Sequence, residues 1–224
     1  MLQVLAGKGN SFLLAFVSGF ADALFFVHLG GLFVGLVTGN AVLIGLGLVG
    51  HEEGGLSSLQ AMTFPAFMMG AGVAAVMVAW IRRLECATFW TLVVSACAFA
   101  ISAGLAAFES RPAATYVLPT VIAMGMLTAI DRLDRRLGPP FSLMTGNIAG
   151  LAVAAAHRII GYTEKPEEWE QSLTSIGLVF GFIAGCAAGA FTEVTIGIAG
   201  MLFPAVLLCV IAIRYSRHAT RQPR

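Results

Sequence analysis

The order of apolar and polar residues along the chain predicts eight consecutive helical segments. Uncharged runs of about 20 residues alternate with short connections that carry glycine, proline and charged residues. The predicted segments span residues 11–29, 32–50, 61–81, 87–108, 113–130, 139–157, 171–191 and 194–213. A helix of about 20 apolar residues can cross a hydrocarbon core of about 30 Å. The pattern therefore predicts an all-α fold, a polytopic transmembrane helix bundle of six to eight spans.

The composition agrees with a membrane protein and excludes several function classes. Hydrophobic residues make up 58% of the chain and charged residues only 11%, too few to cover the surface of a soluble domain. The connections are too short to hold a soluble catalytic domain, so we do not expect an enzyme. A net charge of +1 argues against a nucleic-acid partner, because phosphate binding needs a concentrated basic face.

The basic residues leave the orientation in the membrane open. If every segment crosses, arginines and lysines fall on both sides, and the positive-inside rule does not decide between them. The densest basic group is the C-terminal tail, which holds Arg214, Arg217, Arg221 and Arg224. We interpret it as a flank that follows the last span rather than as a site for lipid headgroups.

An internal repeat is the strongest signal in the sequence. The pentapeptide at 36–40, which ends in Thr-Gly-Asn, recurs at 143–147, so that the two asparagines are 107 residues apart. Two further pairs keep the same order: Gly19–Ala23 with Gly125–Ala129, and Phe67–Gly70 with Phe182–Gly185. The repeat predicts two homologous halves, residues 1–112 and 113–224, that form one membrane domain.

The Thr-Gly-Asn motif suits a helix break inside a membrane. Glycine permits positive φ, and the threonine and asparagine side chains can cap backbone groups that lipid cannot satisfy. Transporters built from repeats often bind substrate at such breaks. The alternative is that Asn40 and Asn147 only form hydrogen bonds between packed helices.

These paired segments resemble the YoaK family of small bacterial membrane proteins, a family of unknown function. The resemblance covers about Ser11 to Ile213 and rests on the G-x-x-D-A and T-G-N motifs in combination. It implies a multi-pass protein of the bacterial inner membrane that is permease-like and has no settled substrate. One departure is Thr128, where the family more often has an amide.

Asp22 is the most informative single residue. It is the only carboxylate between Ser11 and Gly50, and a charged aspartate in the bilayer centre costs at least about 2.5–3.5 kcal/mol unless it is paired, hydrated or protonated. We therefore expect it to couple transport to protons or a cation, with a hydrogen-bonded structural aspartate as the alternative.

The sequence thus predicts a secondary transporter or permease for a small solute, with its site at the interface of the two repeats. The predicted substrate- or ion-binding residues are Asp22, Thr38, Gly39, Asn40, Thr128, Thr145, Gly146 and Asn147. Thr128 is aligned with Asp22. We expect no cofactor, no metal ion and no nucleic acid. The expected partners are the lipid bilayer and an unidentified small-molecule or ion substrate, with a homodimer through the Gly-rich helix faces as a further option. The alternative is a non-transporting membrane assembly or sensor protein.

Smaller patterns receive structural interpretations. Gly181, Gly185 and Gly189 repeat every four residues, which predicts a close-packing face for another helix, within the chain or across a homodimer. Residues 31, 35 and 39 repeat the spacing. The four cysteines have no CxxC pairing and are interpreted as small apolar residues. Glu193 is placed in the connection between the last two segments, and His28 at a segment end.

Overall fold

The chain is helical throughout the part that the structure describes. A computed structural model describes residues 2–50, 57–107, 112–162 and 166–219, with side chains at 9–50, 58–107, 112–162 and 171–217. Within those ranges there are eight α-helices and no strand: α1 (Leu2–Leu29), α2 (Val37–Leu48), α3 (Ser57–Ile81), α4 (Leu84–Ala106), α5 (Ala113–Leu133), α6 (Met144–Ile159), α7 (Pro166–Ile196) and α8 (Leu202–Ala219). The tail arginines Arg221 and Arg224, and parts of the loops at 51–60 and 161–170, lie outside the described residues.

Several helices are long and apolar enough to span a membrane. The described residues contain five such segments: Gly9–Leu29, Ser58–Ile81, Leu84–Ala106, Ala113–Leu133 and Gln171–Arg217, the last of which includes both α7 and α8. Large apolar side chains are also exposed on the outside of the bundle, among them Trp80, Phe191 and Val206. Lipid tails are the solvent that suits such a surface, and the chain is a membrane protein.

Helix α1 occupies the centre of the bundle. Its residues from 10 to 25 are almost all buried, including Leu14, Phe20 and Leu24, which are at most 1% exposed. Burial around the helix, which includes the polar residues Ser11 and Asp22, shows that other parts of the protein enclose it. Its most extensive neighbour is α7.

Three glycines of α7 allow it to lie directly against α1. A Cβ atom on Gly185 would lie 2.2 Å from the carbonyl oxygen of Phe16, and one on Gly189 would lie 2.2 Å from that of Phe20. Gly181 faces Phe12 in the same way. The three contacts advance by four residues along both helices, so α1 and α7 run parallel, and the predicted glycine face of α7 is confirmed.

Helices α3 and α5 cross through the same kind of contact. A Cβ atom on Gly70 would lie 2.0 Å from the carbonyl oxygen of Ile122, and one on Gly125 would lie 2.1 Å from that of Phe67. In the α1–α7 crossing, Gly19 likewise faces the carbonyl oxygen of Phe182 at 2.2 Å. Close backbone approach of this kind is the main source of helix association where burial from water cannot drive it.

Hydrogen bonds between helix ends fix the direction of the other helices. The Gln60 side chain donates to the carbonyl oxygen of Gly31 over 2.7 Å, which places the start of α3 beside the end of α1. The Ser11 hydroxyl donates to the carbonyl oxygen of Leu137 over 2.9 Å, which places the residues after α5 beside the start of α1. Helices α3 and α5 therefore both run opposite to α1.

The helix boundaries differ from the predicted segments at several places, including the starts of α1, α2, α6 and α8. A further difference lies near residue 193. The connection predicted there is wrong, because α7 continues to Ile196 and Glu193 lies inside it. The helix ends where Gly197 takes a φ of +68°, a conformation that favours glycine. The stripe predicted at Gly31, Gly35 and Gly39 is also wrong, because α2 begins only at Val37.

Candidate functional site

Asp22 binds the backbone of the irregular segment that joins α1 to α2, residues 30–36. Its Oδ1 atom accepts hydrogen bonds from the backbone N–H groups of Val34 at 2.8 Å and Gly35 at 2.6 Å. The N–H of Leu36 donates to Oδ1 at 3.2 Å and to Oδ2 at 3.1 Å. Asp22 is only 2% exposed. The carboxylate therefore replaces the hydrogen bonds that this stretch of backbone would otherwise lack inside the protein.

Asn40 fixes the same segment from the other side. Its Oδ1 accepts the N–H of Phe33 at 2.9 Å, while its Nδ2 donates to the carbonyl oxygen of Phe33 at 2.8 Å and to Thr63 Oγ1 at 2.9 Å. Thr63 donates in turn to the carbonyl oxygen of Gln60. Asn40 has no exposed surface. Asp22 and Asn40 therefore both bind the segment 30–36. None of the described contacts joins the two side chains directly.

Gly35 makes the approach of Asp22 possible. A Cβ atom at this position would lie 2.6 Å from the Met124 side chain and 3.1 Å from Asp22 Oδ2. A larger residue would push the segment away from the carboxylate. The glycine is thus required by packing at this point rather than by helix association.

The remaining predicted residues of the first half point elsewhere or serve packing. Thr38 is exposed, and Gly39 makes room for the Phe33 ring, which would lie 2.8 Å from a Cβ atom there. Thr38, Gly39 and Asn40 lie in the first turn of α2. The irregular backbone comes before the motif, at 30–36.

The second half repeats this arrangement with weaker bonds. Thr145, Gly146 and Asn147 lie in the first turn of α6, and the irregular residues 138–143 precede them. Asn147 donates to the carbonyl oxygen of Pro140 over 3.4 Å and accepts from Ser175 over 3.4 Å. Thr145 and Gly146 are exposed, and no residue of α6 is buried.

Asp131 contacts the second segment in the way that Asp22 contacts the first. Its Oδ2 atom accepts the backbone N–H of Ser142 over 3.4 Å, and Ser142 lies 107 positions after Gly35. Asp131 is 1% exposed, and its Oδ1 atom accepts no hydrogen bond. Thr128, which the sequence aligned with Asp22, lies three residues earlier on α5 and is half-buried.

A polar group closes the end of the bundle where α1 finishes. His28 Nδ1 lies 2.7 Å from Glu193 Oε1, and the Tyr116 hydroxyl lies 3.4 Å from His28 Nε2. These residues belong to α1, α7 and α5. The contact joins helices from both halves of the chain at one end.

A larger polar group closes the opposite end. The Asp134 carboxylate accepts hydrogen bonds from Thr88 Oγ1 at 2.6 Å, from Arg136 Nε at 2.8 Å and from the Tyr215 hydroxyl. Arg136 also pairs with Glu85 at 2.6 Å. Burial by itself would raise the pKa of Asp134, but the bonds from Arg136, Thr88 and Tyr215 together hold this pKa below its usual value. Asp134 therefore stays charged and ties α4, α5 and α8 together.

A cavity between α1 and α7 contains none of the predicted site residues. It is lined by Phe12, Leu173, Thr174, Gly177 and Leu178. These are mostly apolar side chains, whereas Asp22 and Asn40 are buried in the protein. The chemistry of the first segment is accordingly that of a fixed structural joint, and two other carboxyl groups, those of Asp131 and Glu193, have a buried oxygen without a hydrogen bond.

Sequence reasoning missed Asp131, Thr63 and Asp134. Asp131 stands in the charged run 131–136, which is typical of a loop after a helix. One pattern could have identified it. Asp131 precedes Asn147 by 16 residues, close to the 18 residues by which Asp22 precedes Asn40. Thr63 carried no signal, because a threonine in an apolar helix is common.

The comparison with known families agrees with the resemblance to the YoaK family. No curated protein and no solved structure matches the chain. The family described as "Protein of unknown function (DUF1275)" matches residues 11–214. That range contains both irregular segments, both glycine crossings and all of α1 from Ser11 onward. The chain therefore belongs to this family, DUF1275.

Proposed function

We propose that the chain consists of two repeats of opposite orientation, residues 1–112 and 113–224. Helices α1, α3 and α4 would be the spans of the first repeat, and α5, α7 and α8 those of the second. The short helices α2 and α6 would enter the membrane from opposite sides. The support is that α5 runs opposite to α1, and that Gly19 faces Phe182 as Gly125 faces Phe67. An odd number of spans per repeat inverts the second copy.

We infer that the protein is a secondary transporter or permease for a small solute in the bacterial inner membrane. The observation that carries this proposal is the pair of irregular segments, 30–36 and 138–143, each followed by a short helix and each bound by a buried aspartate. Inverted repeats with interrupted helices near mid-membrane are the architecture in which transporters bind substrate. Buried ionisable groups are costly in a membrane and are kept mainly at such sites.

The geometry gives the predicted residues different roles in this proposal. Asp22 and Asn40 hold the first segment in place, so they act as positioning residues. Thr38 and Thr145 present their hydroxyl groups outward from the first turns of α2 and α6 and would contact the solute. The coupling role that the sequence suggested for Asp22 suits Asp131 better, because Asp22 already accepts bonds from three backbone N–H groups.

The second candidate function, a non-transporting assembly or sensor protein, is favoured by one observation. Asn40 has no exposed surface and three hydrogen bonds. A fully satisfied asparagine is what purely structural helix packing requires. In this case neither segment would bind a solute.

A ligand screen followed by exchange measurements separates the two functions. Purified protein is heated with individual metabolites and ions, and a compound that binds the folded state raises the melting temperature. Each such compound is then tested, in radiolabelled form, for exchange into proteoliposomes preloaded with the unlabelled compound. The transporter predicts faster exchange than in protein-free liposomes. A compound that stabilises the protein but exchanges no faster than in empty liposomes would contradict it.

A further inference from the structure

The second irregular segment contains buried oxygen atoms that the first does not have. Asp131 Oδ1 is buried and accepts no hydrogen bond. The Ser142 hydroxyl oxygen lies beside this carboxyl group and is buried, yet it forms no hydrogen bond of normal geometry. A buried polar atom without a partner costs about 1–3 kcal/mol, and more if it is charged. The donors nearest to the carboxyl group are the backbone N–H groups of Phe141 and Ser142 and the Ser142 hydroxyl, and none of them bonds to Oδ1 with normal geometry.

Two sequence differences between the segments produce this excess of oxygen. Phe33 donates its N–H to Asn40, whereas Pro140, 107 positions later, has no N–H to give to Asn147. Gly35 has no side chain, whereas Ser142 at the corresponding position adds a hydroxyl group. Asn147 therefore lacks a backbone donor that Asn40 has, and a hydroxyl group that can donate or accept is added beside Asp131.

We propose that Asp131 and Ser142 form a binding site for an alkali-metal cation. Hard monovalent cations are bound by carboxylate, hydroxyl and amide oxygens. One cation can contact both unpaired oxygens at once and neutralise the buried carboxylate. The proposal deepens the proposed transporter, on which it rests for the use of the ion, by naming the coupling ion and its site.

The charge near the site is suited to a monovalent ion rather than a divalent one. Asp134, three residues further on, is committed to Thr88, Arg136 and Tyr215. No group of three histidine, cysteine or acidic side chains that could hold a metal occurs among the described residues. Arg132 follows Asp131 directly, but its side chain is exposed. A single carboxylate balances a single positive charge.

The test measures the melting temperature of the purified full-length protein against the concentration of NaCl. Choline chloride keeps the ionic strength constant, and KCl and LiCl provide parallel series. We expect a saturable rise in melting temperature with an alkali cation over choline. Asp131→Asn should abolish it, since the amide keeps the shape and removes the charge. Ser142→Ala should raise the half-saturating concentration about tenfold or more, which keeps the test informative if Asp131→Asn folds poorly.

Glu193→Gln is the matched control. Glu193 is also an acidic residue with a buried, unpaired oxygen, but it lies at the other end of the bundle. This variant should keep the full cation response. The site is refuted if wild type shows no difference between the alkali cations and choline, if Asp131→Asn keeps the response, or if only a lowered pH stabilises the protein. Cation binding without solute exchange would refute the transporter and leave the site intact.

Discussion

The segments 30–36 and 138–143 occupy corresponding places in the sequence but are held differently. The backbone N–H groups of the first donate to the side chains of Asp22 and Asn40, and Asn40 donates back to it, at distances from 2.6 to 3.2 Å. The described hydrogen bonds between the second and the side chains of Asp131 and Asn147 are both 3.4 Å long, and no residue of α6 is buried. The difference indicates that the first segment is held more tightly than the second.

The largest expected difference between the two segments appears when each aspartate is removed in turn. Asp22→Ala leaves the N–H groups of Val34, Gly35 and Leu36 buried without an acceptor. Because a hydrogen bond to a charged group contributes about 1.5–3 kcal/mol, we expect the free energy of unfolding to fall by at least about 3 kcal/mol. Asp131→Ala loses one long bond and an unpaired charge, so its loss should stay below about 1 kcal/mol in choline buffer. Denaturant titration of the purified variants measures both, and equal losses would contradict the comparison.

The glycine crossings test whether the two halves are built alike. Gly70→Ala and Gly185→Ala each place a Cβ atom about 2 Å from a backbone carbonyl oxygen, which forces the helices apart and should cost about 1–3 kcal/mol. Gly72 and Gly177 lie on the same two helices with nothing within 4 Å. Their alanine variants should be neutral or stabilised by up to about 1 kcal/mol.

Melting temperatures of these four variants in detergent would provide the measurement. Similar losses at Gly70 and Gly185 agree with two crossings of one kind. A large loss at only one of them would show that α3–α5 and α1–α7 do not share the same packing, and would weaken the proposal of repeats.

Acid should weaken the polar group around Asp134, which lies between α5 and the second segment. The pKa of Asp134 in the folded protein lies below its value of 3.8 in the unfolded chain. Asp134 therefore stabilises the fold at pH values above about 4, and this contribution is lost as the pH falls through the folded pKa. We expect the melting temperature to drop as the pH falls below about 4, and Asp134→Asn to flatten that drop. An unchanged slope in the variant would mean that other carboxyl groups cause the acid effect.

The smallest expected effect comes from restoring the missing donor. Pro140→Ala supplies an N–H where Phe33 has one, and this group should bond to Asn147 and contribute about 1 kcal/mol. Removing the proline makes the unfolded chain more flexible, which lowers the free energy of unfolding by about 0.4–1 kcal/mol. Stability should therefore hardly change, and the cation response should stay that of wild type. A loss above about 2 kcal/mol in a denaturant titration would contradict this expectation.

The fold was predicted from the sequence much better than the site. Long apolar runs set the helix positions, because a lipid-facing or buried helix needs apolar residues along its whole length. The boundary at Glu193 was missed, since its pairing with His28 spans 165 residues. Contacts of that range leave no local pattern, and a carboxylate between two apolar runs is typical of a loop.

The residues of the candidate site were harder to predict from the sequence than the helices. Asp22 stood out because it is alone in an apolar stretch, whereas Asp131 was hidden in a charged run although it is equally buried. The sequence could place Asn40 and Asn147 in related positions. It could not show that the loop before Asn147 lacks a donor, because that depends on which backbone group Asn40 binds in the folded chain.

Backbone hydrogen exchange in the two segments tests the central comparison most directly. The purified protein in nanodiscs, without alkali cations, is exposed to deuterated water, and peptides that cover 30–36 and 138–143 are followed by mass spectrometry. Amides bound to Asp22 should exchange at least about 10-fold more slowly than those at 141–143, since exchange reports local opening. Adding NaCl should slow the second segment only. Equal exchange in the two segments, with no effect of NaCl, would contradict the account.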